Sequence, residues 1–162
     1  MTHAQTHSRL PGPWLVADIG GTNARFGWVE GAGGEVAQVV SIPTAGHAGP
    51  AAAVATYLRQ RADALGAQYR APRAAAFAVA TALTGDRVAL TNSGWDFSRR
   101  ELQQALGLEA LLLLNDCGFR HVPIVQDGRV IGIASRYDFR AKEQARLDEE
   151  SASSLRSPNN TC

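Results

Sequence analysis

The stretch Asp18-Ile19-Gly20-Gly21-Thr22-Asn23-Ala24-Arg25 is the part of this chain best equipped for chemistry. Adjacent glycines carry no β-carbons, so the backbone there can approach a ligand closely and turn its amides toward phosphate oxygens. Thr22 and Asn23 add side-chain donors. Asp18 is a carboxylate that could hold magnesium through water, in the manner of sites where phosphate supplies the other ligands. A glycine hairpin beside a solvated aspartate would explain a bare Gly-Gly, but the full eight-residue string favours phosphate. The second polar signal is Asn115-Asp116, which closes the run Leu111 to Leu114. Taken alone, that pair reads either as a turn after a strand or as a carboxylate placed to accept a proton. The four histidines, His3, His7, His47 and His121, are scattered and converge on no ligand set, so surface or turn positions are expected. Cys117 has only His121 near it in sequence and is read as a free thiol.

The elements that must position these groups follow from periodicity. Trp14 to Asp18 is a short apolar run that leads into the glycine turn, and Arg25 to Glu30 resumes alternating, extended character. A third extended run, Val36 to Pro43, follows a glycine-rich tip, so three antiparallel strands are expected. From Pro50 onward, Val54, Tyr57, Leu58, Arg61, Ala62 and Leu65 recur at helical steps, and Gly66 is the expected stop. Ala74 to Ala80 reads as a buried strand and Arg87 to Thr91 as another after a Thr-Gly-Asp turn. Ser98 and Glu101 have capping-box spacing ahead of a helix that ends at Gly107. The four leucines before Asn115 favour a central strand. Three strands, helix, two strands, helix, strand is an α/β order.

The bulk properties exclude several function classes. With 16 basic and 15 acidic residues in 162, the formal charge is +1, which offers no field to attract nucleic acid or an anionic membrane. No apolar run approaches membrane-spanning length, and the opening residues lack the apolar core of a secretory signal. Two cysteines are too few for a disulfide framework, so a reducing cytoplasm is the expected setting.

In this setting the string from Asp18 to Arg25 resembles the first phosphate motif of bacterial glucokinases, within the actin-like ATPase superfamily. The segment Thr84 to Asn92, followed by Trp95-Asp96-Phe97-Ser98, is similar to that family's lead into its second helix, and Leu114-Asn115-Asp116 to its active-site strand end. The resemblance covers residues 14–116 and implies a mixed sheet of the hexokinase and glucokinase type. It implies ATP with Mg2+ as cofactor and glucose as substrate. Asp18, Gly20, Gly21, Thr22 and Asn23 would lie at the ATP phosphates, with Asp18 holding magnesium through water. Asn115 would bind the sugar, and Asp116 would be the general base for its 6-hydroxyl.

Beyond Asp116 the family's pattern stops, and its second phosphate motif, adenosine pocket and remaining sugar ligands find no match in this sequence. Catalysis of this kind needs two lobes closing over both substrates, so little or no turnover is expected of the chain alone. Residues 117–150 instead resemble the second half of a cystathionine-beta-synthase (CBS) domain: a β-hairpin around Gln126-Asp127-Gly128, then a charged helix from about Asp138. That resemblance implies adenine-nucleotide contacts, AMP or ATP, at Ser135 and Asp138, and admits a homodimer because such modules pair. Residues 1–13 read as a flexible lead-in and 151–162 as a disordered tail. Two further readings stay open: a nucleotide-sensing or assembly module that works through the tail, and a fusion with no selected activity.

Overall fold

The computed structural model describes residues 12–31, 34–115, 121–126 and 129–135. The expected Asp116 and Asp138 sites, the free thiol of Cys117, the charged helix from Asp138 and the tail 151–162 lie outside the described residues.

Three strands open the fold: β1 (Trp14–Ile19), β2 (Asn23–Val29) and β3 (Ala37–Pro43). Helix α1 (Pro50–Leu65) follows, with a short 3-10 turn at Gly66–Gln68, then β4 (Ala74–Val79). Next come the short strands β5 (Arg87–Ala89) and β6 (Asp96–Ser98), helix α2 (Arg99–Ala105) and β7 (Ala110–Asn115). A hairpin of β8 (His121–Gln126) and β9 (Arg129–Ser135) follows in chain order.

Five strands make one mixed sheet in the order β3-β2-β1-β4-β7. β1, β2 and β3 pair antiparallel, whereas β4 and β7 run parallel to β1. All six residues of β1 are buried, the mark of a strand covered on both faces. Its alternate residues feed two separate clusters. Leu15, Ala17 and Ile19 join Phe26, Phe77, Val54, Tyr57 and Leu102, so α1 and α2 cover that face. Trp14 and Val16 join Val29, Val39, Ala76 and Ala78 on the other.

Two expectations are corrected here. The leucine run forms β7 at the edge of the described sheet, not at its centre, because it pairs only outside β4. Arg87 to Thr91 yields just three strand residues, and they leave the main sheet to pair with β6, an element that the sequence pattern did not reveal. A three-residue strand is too short to display a periodicity of its own. The antiparallel pairing of β8 with β9 forms where the Asp-Gly signal put it.

Helix ends follow the sequence signals. Pro50 opens α1, and Gly66 ends it at φ 53°, a left-handed value that glycine adopts without steric cost. Ser98 caps α2 by accepting the Glu101 amide at 3.2 Å. The same hydroxyl donates to the Asp86 carboxylate, which also accepts the Arg100 amide at 3.2 Å. The Ser98 hydrogen bond, with help from the Arg100 amide and charge, holds the Asp86 carboxyl below its ordinary value of 3.8. A carboxylate depressed in the folded state contributes stability above its unfolded pKa and loses it as pH falls through the folded one. Ser98→Ala is therefore expected to cost about 1–2 kcal/mol in urea melts at neutral pH. Asp86→Asn should flatten the acid limb of the stability curve below about pH 4, and an unchanged limb would count against this account.

One residue departs from ordinary backbone geometry. Gln38 has φ 54° without being glycine, at a point where the β2–β3 register slips between Phe26 and Trp28. Such a bulge position costs a residue with a β-carbon about 1 kcal/mol. Two bonds from α1 offset it: the Tyr57 hydroxyl donates to the Gln38 carbonyl at 2.9 Å, and Arg61 Nη1 donates to Gln38 Oε1 at 3.1 Å.

Candidate functional site

The parallel strands β1, β4 and β7 end together. Ile19, Val79 and Asn115 form one row across the sheet, and Asp18, Ala78 and Leu114 form the row before it. At about 4.8 Å per strand, the ends of β1 and β7 stand about 10 Å apart. The sheet thus brings the glycine turn and Asn115 to one edge. Successive residues of a strand face opposite ways, so the two side chains do not share a face. Asp18 lies on the side of Trp14 and Val16, and Asn115 on the side that carries α1 and α2.

The turn itself is a tight β-hairpin loop. The Gly20 amide donates to the Asn23 carbonyl at 3.0 Å, which takes it out of the set of amides available to a ligand. On one flank, Thr44 is 4% exposed, and it donates its amide to the Thr22 carbonyl at 2.9 Å and its hydroxyl to the Gly21 carbonyl at 2.8 Å. In a trans peptide the N–H points opposite to the preceding carbonyl, so the Thr22 amide is turned away from Thr44. Among the described residues, the Gly21 and Thr22 amides donate to no backbone acceptor. Thr22 is exposed, and Gly21 and Asn23 are half-buried. Amides without a backbone acceptor, at a turn of this kind, suit an oxyanion.

Asp18 is 6% exposed, and its Oδ2 lies 3.8 Å from Arg25 Nη1. Among the described residues, no three His, Cys, Asp or Glu side chains come together around a metal. A magnesium ion here would draw its remaining ligands from water and phosphate, and one carboxylate suffices for that arrangement. Asn115 is half-buried at the last position of β7. Ser135 ends β9. His47 sits in the turn after β3, where its Nδ1 lies 3.0 Å from the Pro43 carbonyl.

Comparison with known proteins decides the family. The glucokinase family model matches residues 15–133, well over half of the chain. The chain belongs to the glucokinase family. This glucokinase-family chain is 47% identical over 102 residues to a glucokinase of Paramagnetospirillum magneticum, covering 63% of the chain and 30% of that protein. It is 41% identical over 120 residues to a glucokinase of Cupriavidus pinatubonensis, covering 72% of the chain and 34% of that protein. A crystal structure of a glucokinase from an Antarctic psychrotroph superposes with a TM-score of 0.57 at 34% identity, over 65% of the chain and 32% of that structure. The chain therefore spans about a third of the length of the glucokinases it matches. The family match also runs past Asp116 into the segment that resembles a CBS domain, for which the comparisons supply no support.

Sequence reasoning missed two residues at this site, Thr44 and Asn92. Thr44 lies 22 positions after Thr22 and gave no signal of its own. Asn92 packs against the glycine turn, where a β-carbon on Gly21 would lie 2.5 Å from its own, and nothing in its spacing marks that contact.

Proposed function

We propose that this chain carries the phosphate-binding and part of the sugar-binding half of an ATP-dependent glucose kinase. The observation that supports it most is the shared edge of β1 and β7, where the glycine turn and Asn115 stand two strands apart. Bound with magnesium, ATP supplies the phosphoryl group. On the side of this chain, the Gly21 and Thr22 amides and the Asn23 side chain bind phosphate oxygens, and Asp18 orients magnesium through water. Asn115 holds a sugar hydroxyl, and Asp116 accepts the proton of the 6-hydroxyl. The setting is the cytoplasm, consistent with two cysteines in 162 residues, and among the described residues no helix is long and apolar enough to cross a membrane.

The 162-residue chain on its own binds MgATP but turns over glucose weakly or not at all, because positioning both substrates calls on groups that the matched third of the family's length does not supply. A coupled assay for glucose 6-phosphate on the pure chain should stay near background, while calorimetry detects MgATP. Robust turnover that Asp116→Ala abolishes would overturn the first statement, and a flat MgATP titration would overturn the second. The rival reading, adenine-nucleotide sensing through the tail with pairing into a homodimer, predicts AMP binding that is lost on Ser135→Ala and Asp138→Ala. The β8–β9 hairpin, with Ser135 at its end, is the feature in its favour.

A further inference from the structure

The second glycine of the turn packs closely against a residue of the loop between β5 and β6. A β-carbon built on Gly21 would lie 2.5 Å from Cβ of Asn92 and 3.4 Å from its Cα and carbonyl carbon. Two carbons at 2.5 Å cannot coexist, and Cβ is no flexible side-chain tip that could swing away. Gly21 has no left-handed φ that would demand glycine on its own account. What forbids a side chain at position 21 is therefore the contact with Asn92.

Asn92 is in turn fixed by a buried anchor. Its loop bridges β5 and β6, and the Leu90 amide donates to the Trp95 carbonyl at 2.8 Å. Trp95 is 2% exposed, and its Nε1 donates to the His47 carbonyl at 3.0 Å. His47 lies three residues beyond Thr44, which grips the other flank of the glycine turn through the carbonyls of Gly21 and Thr22. Thr44 holds the turn by its carbonyls, and Asn92 packs against it at Gly21. The two flanks are joined to each other through Trp95 and His47.

We propose that Asn92 is a positioning residue for the phosphate turn: its β-carbon, pressed against Gly21, fixes the direction in which the Gly21 and Thr22 amides face. This rests on the phosphate-binding reading of the turn. It also gives Gly21 a purpose different from letting phosphate approach the backbone, and the two purposes can be separated. If glycine is needed because of Asn92, removing the β-carbon of residue 92 makes room for one at residue 21. If glycine is needed because phosphate lies there, it does not.

The test is a double-mutant cycle on the full chain, read by MgATP calorimetry and by urea melts. Gly21→Ala should weaken MgATP binding more than about tenfold and lower the urea midpoint, while Asn92→Gly alone should weaken binding about threefold by freeing the turn. Gly21→Ala/Asn92→Gly together should return to the affinity and midpoint of Asn92→Gly alone. A double variant that recovers the midpoint but still binds as poorly as Gly21→Ala would overturn the positioning role, since the added methyl would then obstruct phosphate itself. Additive losses in both readouts would overturn the contact. Absence of MgATP binding by the parent chain would overturn the phosphate reading and the positioning role with it, and the urea midpoints would still decide whether the contact couples the two residues.

Discussion

Asp18→Asn is expected to weaken binding of MgATP by roughly 10- to 100-fold while leaving binding of magnesium-free ATP nearly unchanged, the scale seen when a group that orients a metal's bound ligands is lost. The amide keeps the shape of the carboxylate while removing its charge and turning one acceptor oxygen into a donor. That charge faces Arg25 Nη1 at 3.8 Å, the Asp18 and Arg25 side chains being 8% and 26% exposed, so the change also costs some stability, which urea melts of the variant measure alongside the titrations. The comparison of titrations with and without magnesium isolates the metal-dependent part. An equal loss in both would move Asp18 from metal orientation to simple support of the turn, and no loss in either would remove it from the site.

Trp28→Ala should produce the largest fall in stability. Trp28 is 1% exposed and lies among the fully buried side chains, and truncating such an aromatic typically costs about 3–5 kcal/mol. Its ring also faces the Arg61 guanidinium at 5.7 Å from the centroid. Arg61 is itself 8% exposed and holds the Gln38 amide with one nitrogen, while its Nε has no partner among the described residues. With the indole gone, a buried cation loses much of its environment, and leaving a charge buried and poorly partnered is strongly destabilising. The melting temperature should fall by roughly 10 °C for a chain of this size. In an Arg61→Met background the same truncation should cost measurably less, because no charge is stranded. Equal losses in both backgrounds would mean that the cation and the ring act independently.

The same cluster keeps Tyr57 protonated: burial pushes its phenol well above the ordinary value, against the opposing pull of Arg61. The hydroxyl therefore stays a donor to Gln38 on mild alkalinisation, and the bulge in β3 keeps this bond there.

Much of this molecule could be read from local pattern. The three opening strands, α1 between Pro50 and Gly66, the Ser98 cap and the leucine strand each depend on interactions within a turn or two of chain, and those leave a mark in residue order. The glycine turn was legible for the same reason, since its unusual feature, two adjacent residues without side chains, is a property of the sequence itself. The short β5–β6 pair was not, because three residues cannot show a period.

What the tertiary structure alone decided are the contacts that reach across the chain. Residue order placed Asp18 and Asn115 at strand ends; only the parallel register of β1, β4 and β7 brought those ends to one edge and turned the two side chains to opposite faces. Likewise, the sequence shows that position 21 is glycine, but the packing that requires it comes from Asn92, 71 residues away in sequence, whose β-carbon one on residue 21 would meet at 2.5 Å. Close packing is a relation between surfaces, set by how strands pair and helices lie on them, and a local string of residues holds no record of its partner.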